Sequence, residues 1–274
     1  VNGTWMFFSP ADGGGASITD PTSPTTTVTN VVAGSGPLVL AWIISNGCTG
    51  PINYDTVTLE NQIPPTPAGA GLDQLNLCGV TTTTLAANTP GTGTGEWSVV
   101  SGDGAENIGN LFDPASSFDG TADETYVLRW TITNGVCAAT EDDVIIRFDE
   151  TPSTADAGPV AVVQCDNSTF TATAVDPATG TGKWSLISGP GSITNVNSFN
   201  TTVTGVTVGS STVLRWTVSN GSCIPDTDDI TLTNRSLPTP VLTSDDADNT
   251  ICAGETVTFT ASGGANYEFF VNGV

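Results

Sequence analysis

Apolar and polar residues alternate along several short stretches of this 274-residue chain. In residues 126–132 the sequence YVLRWTI places Tyr, Leu, Trp and Ile at every second position, with Val, Arg and Thr between them. A period of two is typical of β-strands, because successive side chains point to opposite faces of a sheet. No stretch shows a convincing helical period, and Pro and Gly fall between the strand-like stretches. The pattern therefore predicts an all-β protein.

The strand-like segments recur at an interval of about 87 residues. LRWTITNGVC at 128–137 returns as LRWTVSNGSC at 214–223, with a looser copy, LAWIISNGC, at 40–48. GEWSVVSGDG at 95–104 returns as GKWSLISGPG at 182–191. The tryptophans and cysteines follow the same interval: Trp5, Trp42, Trp97, Trp130, Trp184 and Trp216, and Cys48, Cys78, Cys137, Cys165, Cys223 and Cys252. A unit of this length has the size of a small, independently folding β-sandwich.

Each repeat divides into about seven short strands, labelled A to G in chain order. In residues 64–150 we assign A near Leu75–Cys78, B to Thr82–Ala87, C to Glu96–Val100, F to Thr125–Thr133 and G to Asp142–Phe148, with irregular or edge strands over 105–122. Strands C and F are neighbours in an immunoglobulin-type sheet, so Trp97 and Trp130 are expected to meet in the core. The pair Asn134–Gly135 predicts a type I′ turn between F and G.

The repeat divides the chain into two complete and two partial domains. Residues 64–150 and 151–237 are predicted to be complete immunoglobulin-like sandwiches. Residues 1–63 match strands C to G, and residues 238–274 match strands A to C. We expect these tandem domains to form an extended rod. Because the chain has neither an initiating Met nor a secretory leader, we expect it to be a piece of a longer array; the alternative is that the partial ends complete one another between molecules.

The charge and composition exclude several classes of function. The chain has 28 acidic and 5 basic residues, a formal net charge of −23. Binding to nucleic acid or to an anionic membrane requires clusters of Lys and Arg. No apolar run approaches the roughly 18–20 residues of a membrane helix. The chain has no His, which excludes His-dependent nucleophiles and His-ligated zinc. We therefore expect no catalytic residue, no cofactor site, no nucleic acid partner and no membrane insertion.

The six dispersed cysteines indicate an oxidising, extracellular setting. One possible pairing lies within domains, Cys78–Cys137 and Cys165–Cys223, and leaves Cys48 and Cys252 for partners outside the chain. However, strand A ends at one pole of a sandwich and the F–G turn lies at the other, about 20 Å away. A disulfide requires Cα atoms about 4.4–6.8 Å apart. A bond across the domain junction, Cys78–Cys223, is therefore the second possibility, and unpaired buried thiols are the third.

Acidic residues near the F–G turn raise the question of calcium. Asp142 and Asp143 recur one repeat later as Asp228 and Asp229. Calcium takes carboxylate oxygens as ligands, so these four residues are candidate ligands. The other interpretation is that the acidic residues keep an extended surface protein soluble.

The segments CGVTTTTLAANTPGTGTGEWSVVSGDG (78–104) and YVLRWTITNGVCAATEDDVIIRF (126–148) carry a family resemblance. They resemble the immunoglobulin-like or PKD-like repeats of large, type IX secreted surface proteins of Bacteroidetes-type bacteria, such as gliding-motility adhesins. The resemblance implies an extracellular, multidomain adhesin or stalk on the cell surface, with no catalytic residues. Expected partners are other copies or neighbouring domains, and surface polysaccharide. Two alternatives remain: spacer or carbohydrate-binding repeats of a secreted hydrolase, and a pilus-like polymer joined by strand complementation.

Overall fold

A computed structural model describes residues 2–47, 53–248, 250–266, 268 and 270 of the chain. Within these residues it contains twenty-one β-strands and one three-residue 3₁₀ turn. The strands form several sheets, which confirms the prediction of an all-β protein built from immunoglobulin-like sandwich repeats. Among the described residues, no helix has the length and apolar character needed to cross a membrane.

The first segment forms one three-stranded sheet and one short strand pair. Its elements are β1 (Asn2–Ser9), the 3₁₀ turn (Gly13–Gly15), β2 (Ser17–Ile18), β3 (Val28–Thr29), β4 (Leu38–Ser45) and β5 (Asn53–Leu59). The larger sheet has the order β1-β4-β5, and β2 pairs with β3. Trp5 lies directly opposite Trp42 in the antiparallel pairing of β1 with β4. The strands that carry Trp5 and Trp42 are thus neighbours in one sheet.

The next segment is a two-sheet sandwich. Its strands are β6 (Gln74–Cys78), β7 (Thr82–Thr84), β8 (Thr94–Ser101), β9 (Asn107–Ile108), β10 (Ser117–Asp119), β11 (Thr125–Thr133) and β12 (Thr140–Asp149). One sheet has the order β6-β12-β11-β8 and the other β7-β10-β9. Strand A is parallel to strand G, whereas the other pairings are antiparallel. The order of the larger sheet is A-G-F-C.

The same arrangement recurs one repeat later. The strands are β13 (Ala161–Cys165), β14 (Phe170–Thr173), β15 (Thr181–Ser188), β16 (Ser192–Ile193), β17 (Asn200–Thr204), β18 (Ser210–Ser219) and β19 (Asp226–Arg235). The sheets are β13-β19-β18-β15 and β14-β17-β16. Two further strands, β20 (Val241–Ser244) and β21 (Phe259–Ser262), pair with each other in antiparallel fashion. The chain divides into two compact units, Val1–Asp149 and Glu150–Val274. The division into four domains stays a prediction.

Strand B is shorter than the sequence predicts, because its regular pairing ends at Thr84. Beyond that point Leu85 N–H donates to the Ser116 carbonyl oxygen at 2.8 Å, and Ala87 N–H donates to the Pro114 carbonyl oxygen at 3.0 Å. These bonds go to a loop rather than to a strand. The backbone of residues 85–87 is therefore hydrogen-bonded without being part of a ladder.

Each complete sandwich is centred on a pair of tryptophans from strands C and F. The ring centroids of Trp97 and Trp130 are 5.0 Å apart, and those of Trp184 and Trp216 are also 5.0 Å apart. All four side chains are at most 1% exposed. Trp5 and Trp42 make the same contact at 5.1 Å, yet both are partly exposed. The sequence pattern thus places equivalent rings in all three sheets, but their burial differs.

The two cores differ where aromatic residues of one are replaced by polar residues of the other. In the first, Phe118, Tyr126 and Phe148 pack against one another with centroids 5.1–6.1 Å apart. In the second, Asn234 occupies the position of Phe148 and is fully buried. Its amide donates to the Val206 carbonyl oxygen at 2.8 Å, and its oxygen accepts from Asn167 N–H at 3.1 Å. The buried amide is tolerated because both of its ends have partners.

A glycine two residues before each strand-C tryptophan makes room for the strand-F ring. A Cβ atom on Gly95 would lie 2.0 Å from the ring of Trp130, and one on Gly182 would lie 1.9 Å from the ring of Trp216. Gly3 stands in the same relation to Trp42. The repeated Gly-x-Trp pattern therefore has a steric cause.

Replacing Gly95 by Ala is expected to lower the free energy of unfolding of its sandwich by about 1–3 kcal/mol, because the added methyl group overpacks the core. Amide hydrogen exchange in β8 and β11 measures the change. Gly91→Ala is the matched control, since a Cβ there would meet its nearest neighbour at an ordinary 3.6 Å. Equal exchange rates in the two variants would show that the Trp130 ring moves aside without cost.

Candidate functional site at the repeat cysteines

Cys78 and Cys223 are disulfide-bonded. The thiols of Cys137, Cys165 and Cys252 are free. The within-domain pairs Cys78–Cys137 and Cys165–Cys223 do not form, because the thiols of Cys137 and Cys165 are free. The pairing across the domain junction stays a prediction. Cys48 lies outside the described residues.

The F–G turn that carries Cys137 differs from the predicted type I′ turn. A type I′ turn needs a positive φ at both central residues. Here Gly135 has φ +54°, whereas Asn134 does not lie in the positive region. The turn instead closes from Cys137 N–H to the Asn134 carbonyl oxygen at 3.1 Å, so Gly135 and Val136 are its central residues. The type I′ prediction is therefore wrong, and the pattern of φ is that of a type II′ turn.

A tertiary hydrogen bond accounts for the conformation of this Asn. The side-chain amide of Asn134 donates to the carbonyl oxygen of Ile63 at 2.7 Å. The Cys137 sulfur lies 3.6 Å from the same oxygen. Gln62 adds a contact, since its side-chain oxygen accepts from Val136 N–H at 2.9 Å. The segment that enters the domain is thus attached to the F–G turn, a contact distant in sequence that the Asn-Gly pair alone does not reveal.

The F–G turn of the second sandwich repeats this geometry. Cys223 N–H donates to the Asn220 carbonyl oxygen at 3.0 Å, and Gly221 has φ +48°. The Asn220 amide donates to the Glu150 carbonyl oxygen at 2.9 Å, and the Cys223 sulfur lies 3.3 Å from that oxygen. Cys137 and Cys223 therefore occupy equivalent sites, although only Cys223 is bonded.

The cysteines at the ends of the two A strands are also equivalent. Cys78 is the last residue of β6 and pairs in register with Asp149 of strand G. Cys165 is the last residue of β13 and pairs with Arg235. In each case the next residue has a left-handed backbone, with φ +67° at Gly79 and +51° at Asp166. Each of these residues donates its N–H to the carbonyl oxygen of the paired strand-G residue, at 2.9 and 2.8 Å.

The candidate calcium ligands have other partners. Asp142 accepts a hydrogen bond from Ala70 N–H at 2.8 Å, and Asp228 accepts one from Ala157 N–H at 2.8 Å. Both bonds hold the segment that precedes strand A against the start of strand G. Asp143 and Asp229 instead face the outer surface of the sheet. No group of three or more potential metal-ligating side chains occurs among the described residues.

The sequence leaves calcium binding as an alternative to a solubilising role for these carboxylates, and a thermal melt distinguishes the two. We expect the melting temperature to be the same in calcium and in EDTA, because backbone N–H groups and arginines already engage the four carboxylates. Asp228→Ala is the comparison variant. It is expected to lower the stability by about 1–3 kcal/mol in both buffers, because Ala157 N–H loses a charged acceptor. A melting temperature that falls in EDTA for the wild type would establish a calcium site.

Ion pairs cross the outer face of both large sheets between strands F and G. Arg129 binds both carboxylate oxygens of Asp143, at 2.7 and 3.0 Å, and also Glu141 at 2.8 Å. Arg215 binds both oxygens of Asp229 at 2.8 and 2.9 Å. The antiparallel register places Arg129 directly opposite Asp143, and Arg215 directly opposite Asp229. Hydrogen bonds from the guanidinium groups hold the pKa of Asp143 and of Asp229 below the ordinary value of 3.8.

These pairs predict a loss of stability in acid. Because the folded-state pKa of each Asp is below its unfolded value, the contribution is complete above about pH 4 and is lost as the pH falls through the folded-state pKa. Urea unfolding of Asp143→Asn and Asp229→Asn is expected to show lower stability than the wild type at pH 7. The difference should disappear as the pH falls through the folded-state pKa of each aspartate. Glu96→Gln, which removes none of the described ion pairs, is the control. A difference that persists in acid would contradict this origin.

Two features of the first sandwich carried no signal in the sequence. Asp149, at the end of β12, is 1% exposed and accepts a hydrogen bond from Arg147 Nε at 2.7 Å. The Tyr126 hydroxyl accepts from Thr121 N–H at 2.7 Å inside the aromatic cluster. The alternation of apolar and polar residues along the strands reveals neither of them.

Comparisons with known proteins give likenesses to solved structures. No protein-family model matches the chain, and no curated protein matches it significantly. It is similar to a PKD domain from the KIAA 1837 protein, with 24% identity over 31% of this chain and 87% of that one, at a TM-score of 0.27. It is also similar to Sidekick-1 immunoglobulin domains 1–5, with 12% identity over 88% of this chain and 55% of that one, at a TM-score of 0.45. A third likeness is to fibronectin(III)-like modules of Clostridium thermocellum CbhA, with 13% identity over 63% of this chain and 94% of that one, at a TM-score of 0.30.

Proposed function

We propose that this chain is a structural and adhesive repeat region of a large, secreted cell-surface protein. In this role it forms a stalk or filament for surface attachment or motility. The observation that carries the proposal is the recurrence of one sandwich topology, with strand A parallel to strand G, in two successive repeats of the chain. Cys78 and Cys223 are disulfide-bonded, and disulfides persist in oxidising, extracellular compartments.

The sheet topology suits a protein that carries tension. Strand A, where the chain enters a sandwich, lies parallel to strand G, where the chain leaves it. Tension applied along the chain pulls the two strands in opposite directions along their length. The load then falls on all the hydrogen bonds between them at once, rather than on one bond at a time. The second sandwich has five register pairs between β13 and β19.

The charge and the placement of the aromatic residues also support a structural role. With 28 acidic and 5 basic residues, copies of the chain repel one another non-specifically and stay soluble on a crowded surface. The four tryptophans of the complete sandwiches are buried. They are therefore parts of the cores rather than a platform for stacking sugars. The partners proposed are other copies or neighbouring domains, with surface polysaccharide as the adhesive ligand.

Immunoelectron microscopy of the source cells tests the proposal. Antibodies raised against residues 64–237 are applied to intact cells, and the position of the label is recorded. The proposal expects label along stalks or filaments that project from the surface, and reduced attachment of cells that have been treated with the antibodies. Label confined to the cell interior, or to compact particles that carry a hydrolytic activity, would contradict it and favour a spacer in a secreted hydrolase.

A further inference from the structure

We propose that the outer face of the sheet β1-β4-β5 binds a neutral polysaccharide through two exposed aromatic side chains, Phe8 and Tyr54. The inference rests on the proposed function, which includes surface polysaccharide as the adhesive ligand, and it assigns the site and the chemical class of that ligand. Its experiment measures binding by the purified chain, whereas the test of function measures the location of the protein on cells. The two can therefore fail separately.

The outer face is the side of this sheet that is turned away from its tryptophan pair. Trp5 and Trp42 lie opposite each other on the inner side, and Asp55 lies opposite Trp42 in the pairing of β4 with β5. Because side chains alternate along a strand, the residues next to these three point outward. The outward residues include Thr4 and Met6 on β1, Ala41 and Ile43 on β4, and Tyr54 and Thr56 on β5.

Two aromatic rings on this face are open to solvent. Phe8 is 52% exposed and Tyr54 is 53% exposed, and Met6 is 45% exposed. The ring centroids of Phe8 and Tyr54 are 5.4 Å apart with 31° between the ring planes, so Phe8 lies on the same face as Tyr54. Between them, Ala41 of the central strand is fully buried. An exposed apolar surface of this kind marks a binding site rather than a part of the core.

The equivalent face of the next repeat carries an ion pair instead of aromatic rings. Ala41 precedes the tryptophan of the central strand, as Arg129 precedes Trp130. Thr56 lies opposite Ala41, as Asp143 lies opposite Arg129. The same strand arrangement is therefore stable without exposed rings on its outer face. The aromatic pair is a feature of this sheet alone among the three and is not required by the fold.

The chemistry of this face fits a sugar ring. The two faces of a pyranose carry C–H groups, which pack against the electron-rich face of an aromatic ring. The rim of a pyranose carries hydroxyl groups, which need hydrogen-bond partners. The hydroxyl groups of Tyr54, Thr4 and Thr56 donate and accept hydrogen bonds, and all three residues are exposed. Rings and hydroxyl groups thus occur together on one flat surface.

The distribution of charge favours a neutral ligand over an acidic polymer or a second copy of the chain. Asp55 is the single charged residue of β1, β4 and β5, and it lies on the inner side of the sheet. The outer face of these strands therefore has no group that would pair with a charged partner. The whole chain has a formal net charge of −23, so an acidic polysaccharide or a second copy is repelled as it approaches. A neutral polysaccharide meets no such barrier.

The test is electrophoresis of the full 274-residue chain in native gels that contain a soluble polysaccharide. The neutral probes are hydroxyethyl cellulose, galactomannan, dextran and the neutral polysaccharide washed from the source cells, and the acidic probe is polygalacturonate. We expect slower migration in at least one neutral polymer and unchanged migration in polygalacturonate. Unchanged migration in every neutral polymer would overturn the inference, as would slower migration in polygalacturonate.

Substitutions show whether the retardation comes from this face. Phe8→Ala and Tyr54→Ala are each expected to weaken the apparent affinity by about ten-fold, because each removes a ring that packs on the sugar. Phe8→Tyr keeps the ring and should bind as the wild type does. Phe112→Ala is the matched control, since Phe112 is 64% exposed but lies in the next sandwich.

Two further measurements separate binding from folding and from self-association. Amide exchange protection of β1 and β4 is expected to be retained in both alanine variants, because both rings are more than half exposed. Retardation that survives both variants, or that is lost only together with this protection, would overturn the inference. In sedimentation the wild type is expected to be a monomer. A dimer that Phe8→Ala converts to a monomer would also overturn it, and would assign the face to a second copy.

Discussion

Replacing Trp130 by Ala is expected to cost the first sandwich about 3–5 kcal/mol of stability. The side chain is fully buried and packs on Trp97, so truncation loses apolar burial and leaves a cavity beside a ring that cannot fill it. In amide hydrogen exchange, protection of β11 and β12 should fall by about a hundred-fold to a few thousand-fold, since each 1.4 kcal/mol is a factor of ten. The change is measured by mass spectrometry of peptides from these strands.

The chain provides two controls for this experiment. Peptides from β18 and β19 belong to a separate hydrophobic core and should keep their protection. Trp42→Ala makes the equivalent truncation at a partly exposed ring and should have a smaller effect on its own sheet. Loss of protection in both sandwiches would mean that the two cores unfold as a single unit, contrary to the separation of their side-chain contacts.

Much of the sandwich was predictable because its signals are local. The alternation around Trp130 defines a strand by its period of two, and β11 begins and ends where the sequence predicts. The prediction of the F–G turn type failed although Asn-Gly is a strong local signal. A hydrogen bond from Asn134 to Ile63, 71 residues away, sets the turn instead. Local propensity decides a turn only where no distant contact competes with it.

The candidate site was predictable in its residues but not in its bonds. The recurrence of cysteines at the ends of strands A and at the F–G turns marks these positions in the sequence. Which two cysteines bond depends on the distance between sulfur atoms, and that distance depends on how the strands fold back in space. The partners of the carboxylates likewise depend on how the strands fold. Asp142 and Asp143 are neighbours in sequence, but the strand pleat points them to opposite faces, one toward the Ala70 amide and one toward Arg129.

The sequence by itself determined the strand period, the repeat of about 87 residues, the tryptophan pairs and the positions of the cysteines. These follow from side-chain alternation and from recurrence, both of which are properties of a linear chain. The tertiary structure decided the turn conformation, the burial of Asn234 and the partner of each carboxylate. The bonds of Asp142 to Ala70 and of Asn134 to Ile63 depend on the approach of segments 72 and 71 residues apart in the chain. Only the folded backbone brings such segments within the few ångströms at which hydrogen bonds and disulfides form.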